Sequence, residues 1–176
     1  MGCFQQALQL NLRYTEAYVN LSAALKALGR LEEAVACCRQ AIHLAPWLGE
    51  ANSNLGSILL SAERWDEVAN CCARALACNP SLAEPHVIRS VMFHRLGRFK
   101  QAEQASRQAL TLKLDYPEAW NNLGIALQEQ GLVEEAINCY RKALVLRPGF
   151  AEAHYNLGNA FREQGAIDQA ADHYRQ

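Results

Sequence analysis

Seven cysteines and five histidines are the residues of this 176-residue chain most able to do chemistry. Thiolates and imidazoles at the right spacing bind zinc or act as nucleophiles, so their positions decide the reading. Cys3, Cys37, Cys71 and Cys139 recur at a spacing of 34 residues or a multiple of it, and Ala105 and His173 fill the two remaining places. Cys38 and Cys72 follow directly on two of them. Zinc needs sulfurs about 2.3 Å from one ion. Equivalent positions on stacked helices lie about 8–10 Å apart. Such a column cannot converge on a metal, and the same distance argues against disulfides within it. The cysteines read as small buried hydrophobes in a reducing compartment, which makes a cytoplasmic location the expectation. His86 and His154 occupy a position that wants bulk, and His43, His94 and His173 are scattered. No glycine-rich phosphate loop and no Ser-His-Asp order are present. Glu32-Glu33 and Glu134-Glu135 sit where helices begin and suit the helix dipole. No catalytic constellation is found, so neither an enzyme activity nor a cofactor nor a metal is expected of this chain.

Asparagines give the more informative column. Asn20, Asn54, Asn122 and Asn156 recur at the same spacing, with Ile88 in the fifth place, and Glu16, Glu50, Glu84, Glu118 and Glu152 stand four residues before each. A carboxamide donates to one peptide carbonyl and accepts from one peptide N–H. A row of them can read a peptide's backbone and not its side chains, or can serve to pack neighbouring helices.

These columns need a repeated element to position them. Shifted by 34 residues, the chain aligns on itself in blocks of 15–48, 49–82, 83–116 and 117–150, with a shorter one at 151–176. A fixed period in this range marks a solenoid of supersecondary units. Trp120, Leu123, Gly124 and Leu127, then Ala136, Tyr140, Ala143 and Leu144, recur at helical spacing. Gly29, Gly97, Gly131 and Gly165 fall between the two helical runs, where the left-handed conformation ends a helix, and Glu63 takes that place in the second block. Pro46, Pro80 and Pro148 stop the second run.

The pattern Trp120-x2-Leu123-Gly124-x2-Leu127, followed by Ala136-x3-Tyr140, Ala143 and Pro148, resembles the tetratricopeptide repeat, with Leu127 where an aromatic is usual. The likeness runs in register over the whole chain. Leu12 and Leu114 replace the proline, and Asn52 and His86 replace the bulky fourth residue. The resemblance implies an all-α solenoid in which 1–176 is one array of antiparallel helix pairs forming a right-handed superhelix. It also implies that first helices line a concave groove. There Asn20, Asn54, Asn122 and Asn156, with Asn121 and Asn159 beside them, would bind an extended peptide or protein segment. Neighbouring first helices about 8–10 Å apart match about three residues of extended chain. The implied role is a protein-interaction scaffold. The family's carboxylate grip uses Lys or Arg on this face, where this chain has Glu and Asn, so that mode is disfavoured. "NLGNAFREQGAIDQAADHYRQ" and "AWNNLGIALQEQG" are most similar to the superhelical region of O-linked N-acetylglucosamine transferases. That makes a substrate-recruiting region of a larger glycosyltransferase the first alternative, and a structural self-assembly module the second.

Charge and composition restrict the partners. Net charge is −1, 51% of residues are hydrophobic and 20% are charged, with both signs interspersed. No footprint for nucleic acid or an anionic membrane is expected. No apolar run reaches the roughly 18 residues of a membrane span. Met-Gly-Cys opens the chain, but Gln6 stands where an acylation signal has Ser or Thr. Residues 1–14 match the second helix of a partial repeat, with Cys3, Phe4, Ala7, Leu8 and Leu10 at its core positions. With 151–176 short of a full block, end-to-end self-association is expected, head-to-tail. Arg89 stands where other blocks have Leu, and either a rotated helix or an acidic partner is expected to relieve it.

Overall fold

Residues 15–176 are described by the structure, a computed structural model. They form ten helices: α1 (Thr15–Ala27), α2 (Leu31–Leu44), α3 (Gly49–Ser61), α4 (Trp65–Cys78), α5 (Glu84–Arg95), α6 (Phe99–Leu112), α7 (Pro117–Gln128), α8 (Val133–Leu146), α9 (Ala151–Glu163) and α10 (Ile167–Tyr174). No strand occurs among the described residues. The fold is all-α. The segment expected to form a second helix at 1–14 lies outside the described residues.

Each pair is made by a tight reversal. The chain leaves α1, α5, α7 and α9 through a glycine in the left-handed region, Gly29 at φ 73°, Gly97 at 69°, Gly131 at 80° and Gly165 at 80°. The next amide then reaches back along the helix, as in Arg30 N to Leu25 O at 2.9 Å and Leu132 N to Leu127 O at 3.0 Å. Those bonds satisfy carbonyls that the ending helix would leave orphaned. After α3 the same turn is made by Glu63 at φ 57°, where a Cβ is strained.

Small residues let the helices of a pair approach. Ala34, Ala41, Ala51, Ala75, Ala102, Ala109, Ala119, Ala136, Ala143 and Ala153 are fully buried at the contact seams. The eighth residue of each block meets the twenty-fourth. Gly124 lies under the ring of Tyr140 and Gly158 under that of Tyr174. In the third block Ser90 and Ser106 take those places, both buried, and share a 2.7 Å hydrogen bond. Two small hydroxyls thus replace a glycine and an aromatic ring.

The chain divides into two compact units, one ending at Ile88 and the other starting at Arg89. The first holds α1 to α4 and the opening of α5. The second holds the rest of α5 and α6 to α10. Within the second, Arg89 has no acidic partner among the described residues. It is half-buried, with its guanidinium 5.6 Å from the centre of the Phe93 ring one turn on. Of the two expected reliefs, a rotated helix or an acidic partner, the acid is absent among the described residues, and an aromatic face stands against the guanidinium.

Candidate functional site

In the second unit, α5, α7 and α9 enclose a recess of about 270 Å³. Helical spacing puts Ser90, Val91, His94 and Arg95 on one face of α5; α7 adds Asn122 and Ile125, and α9 adds Glu152. His94 Nε2 lies 4.0 Å from Glu129 Oε1, which orients the imidazole at one side. The recess therefore offers a carboxamide, a carboxylate, a guanidinium and two aliphatic side chains. It holds both hydrogen-bond donors and acceptors.

Asn122 is partly exposed, and its amide makes no hydrogen bond among the described residues. Asn156, its counterpart on α9, is also partly exposed, and its Nδ2 donates to Asn121 Oδ1 at 3.0 Å. Asn121 itself is only 1% exposed. The resemblance places it beside the groove, but it faces inward. Successive residues of a helix point about 100° apart, so Asn121 and Asn122 cannot share one face. Its contact is to Asn156, not to solvent. Asn159 Oδ1 accepts from the Tyr174 hydroxyl at 2.8 Å, which ties α9 to α10. A further chain runs from Tyr140 Oη to Gln128 Oε1 at 3.0 Å and from Gln128 Nε2 to Glu163 at 3.0 Å.

The first unit has its own pair of asparagines. Asn20 is exposed on α1 and Asn54 partly exposed on α3, and neither side chain is engaged among the described residues. Lys26 Nζ donates to Ser57 Oγ at 2.5 Å, and Ser53 Oγ donates to Glu84 Oε2 at 2.9 Å. Burial pushes the Lys26 ammonium pKa down, and the nearby Glu84 carboxylate opposes that shift. The glutamate column is not uniform. Glu118 pairs with Arg147 at 2.5 Å, whereas Glu152 faces the recess.

Ser90, His94 and Arg95 were not among the residues singled out in the sequence for binding, and they line the recess. Their spacing along α5 was the available signal, and Ile88 in the asparagine column drew attention away from that helix. Of the described cysteines, Cys38, Cys71, Cys72 and Cys139 are buried, Cys37 half-buried and Cys78 exposed. Burial raises the Cys38 and Cys139 thiols to about 11, so they stay protonated. Among the described residues no group of three or more His, Cys, Asp and Glu side chains is placed to hold a metal ion, and no helix is long and apolar enough to cross a membrane.

Comparison with known proteins agrees with this architecture. A tetratricopeptide-repeat sequence profile matches residues 15–46, and a second TPR profile matches 129–165. No curated protein sequence matches. The chain superposes on the APC/C hetero-tetramer Cut9–Hcn1 with a TM-score of 0.90 at 18% identity, over 97% of this chain and 34% of that one. It spans about a third of that relative's length. A thermophilic TPR protein of Thermus thermophilus gives 0.82 at 20% identity, over 92% of this chain and 88% of its own. YrrB, a TPR protein with an unusual peptide-binding site, gives 0.65 at 22% identity, over 97% and 88%. The chain has the tetratricopeptide fold, and two of its segments are tetratricopeptide repeats.

Proposed function

We propose that the chain is a protein-interaction scaffold that holds an extended segment against its first helices and reads that segment's backbone. The observation that carries this is the set of partly or fully exposed asparagines on neighbouring first helices, Asn122 and Asn156 in one unit and Asn20 and Asn54 in the other. In this reading Asn122 contacts the segment at the recess, Asn156 contacts it one helix on, and buried Asn121 holds the Asn156 amide in place. Asn159 is held by the Tyr174 hydroxyl, and Gln128 joins α7 to Glu163 of α9. YrrB shares the fold and has a peptide-binding site, which supports the same use of this one.

The test uses a peptide selected from a random displayed library against the intact chain. Each neutral hydrogen bond contributes about 0.5–1.5 kcal/mol, so Asn122→Ala with Asn156→Ala should weaken binding by about fivefold to a hundredfold. N-methylation of the contacted peptide amides should reproduce the loss. Unchanged affinity in both experiments would refute backbone reading. A substrate-recruiting region of a glycosyltransferase would use the same asparagines. It predicts that peptides competing for this face slow glycosylation of protein substrates by the transferase that carries it.

A further inference from the structure

The second unit also carries two recesses on the side of its second helices, and they are copies of each other one repeat apart. In one, of about 510 Å³, Arg107, Leu110 and Trp120 line the wall; in the other, of about 470 Å³, Arg141, Leu144 and His154 stand at the matching positions. The first is lined from α6, α7 and α8, the second from α8, α9 and α10.

The two copies differ in charge. Arg107 donates to Glu103 one turn back, and Glu135 lines the same recess, so that site is neutralised. Arg141 makes no ion pair among the described residues. Its guanidinium rests 5.6 Å from the centre of the Phe161 ring, and no carboxylate lines its recess. The opposite wall is the His154–His173 pair, with Nδ1 atoms 3.0 Å apart. His154 Nε2 lies 2.9 Å from the Pro148 carbonyl and must donate to it. His154 Nδ1 is then an acceptor and His173 Nδ1 the donor, which leaves His173 Nε2 with a lone pair. The rest of the lining is apolar, and Val145 on its rim is 81% exposed.

We propose that the recess bounded by Arg141, Leu144, Leu157 and the His154–His173 pair is a second docking site, separate from the asparagine face, for a peptide with an aromatic or leucine side chain next to a carboxylate. The apolar side chain enters between Leu144 and Leu157 and covers Val145. The carboxylate pairs with the uncommitted Arg141 guanidinium, an aromatic-backed cation suited to a planar anion. The occupant is an acidic segment, because no acid in the recess competes for that cation.

Fluorescence anisotropy on the full chain tests this with two labelled peptides, one with Phe followed by two Asp residues and its twin with Lys in place of Asp. The acidic peptide should bind at least tenfold more tightly. Arg141→Glu should lose at least tenfold of that affinity, while Arg107→Glu in the twin recess and Asn122→Ala with Asn156→Ala change it less than twofold. Arg141 is exposed, so the variant should keep its helical circular dichroism, and a variant with Val145→Asp gives an independent reading of the rim. Equal binding of the two peptides, no binding of either, an unaffected Arg141→Glu protein, or equal losses in the Arg107 and Arg141 variants would each overturn the proposal.

Discussion

Glycines 56 and 124 hold the same place in their repeats, yet the structure assigns opposite signs to the same substitution. A Cβ on Gly124 would stand 2.5 Å from Tyr140 Cε1, 2.8 Å from Cδ1 and 2.9 Å from Cζ. The ring cannot swing away easily, because Tyr140 is 1% exposed and its hydroxyl is tied to Gln128. Overpacking of this kind costs about 1–3 kcal/mol, and a contact this short belongs at the upper end. The helix gains about 1 kcal/mol when Ala replaces Gly. Gly124→Ala should therefore lose about 2 kcal/mol, a fall in Tm of about 4–8 °C for a chain of this size. At Gly56 the nearest atoms are Cys71 Cβ at 3.4 Å, Cys72 Sγ at 3.6 Å and Ile88 Cδ1 at 3.9 Å, which is ordinary contact. There the propensity gain stands alone, and Gly56→Ala should raise stability by up to about 1 kcal/mol. Urea unfolding with matched m-values measures both. Adding Tyr140→Ser to Gly124→Ala should abolish the penalty of the alanine in a double-mutant cycle. Equal effects at the two glycines, or a penalty that survives Tyr140→Ser, would refute the argument.

Glu63→Gly should raise stability by about 1 kcal/mol in urea unfolding, since glycine takes φ 57° without strain. Asn52→Leu, of nearly the same shape, should also stabilise, by about 1–3 kcal/mol, because the buried Asn52 amide has neither a donor nor an acceptor partner. Among Cys37, Cys38, Cys71, Cys72, Cys78 and Cys139, a maleimide probe followed by peptide mapping should label exposed Cys78 first, and Cys38 and Cys72 only on unfolding. Burial, His154 and Arg141 lower the pKa of His173, so the unfolded chain binds that proton more readily. Its contribution should be intact above about pH 6.5 and lost as pH falls, seen as a Tm that drops between pH 7 and 5.

Helix placement was legible because the period repeats along the chain and punctuates itself with glycine. Asn122 and Asn156 were legible as surface residues for the same reason. What the pattern could not show was direction within a crowded helix: Asn121 stands beside partly exposed Asn122 in sequence but turns into the contact with Asn156. Nor could it show the partner of Arg89. The same block also replaces the glycine and the aromatic of the inner seam with Ser90 and Ser106, and only the three-dimensional contact reveals that these two changes belong together.

The fourth position teaches the same lesson about mechanism. Sequence treats Asn52, His86, Trp120 and His154 as one slot graded by bulk. The structure shows that two of them share a bond instead: Trp120 Nε1 donates to the Leu114 carbonyl at 2.9 Å, and His154 Nε2 meets the Pro148 carbonyl at 2.9 Å. Leu114 and Pro148 are equivalent loop residues of the preceding repeats, so the ring N–H fixes how one repeat sits on the next. Leucine serves at 114 as well as proline at 148 because only the carbonyl is used. In the first unit the equivalent carbonyl, Pro46 O, is taken by Cys78 Sγ at 3.5 Å, and the shorter Asn52 is left without a partner. The residue that the slot selects is therefore a ring with an N–H at its far edge. Histidine and tryptophan can exchange there while asparagine, polar but too short, cannot take their part.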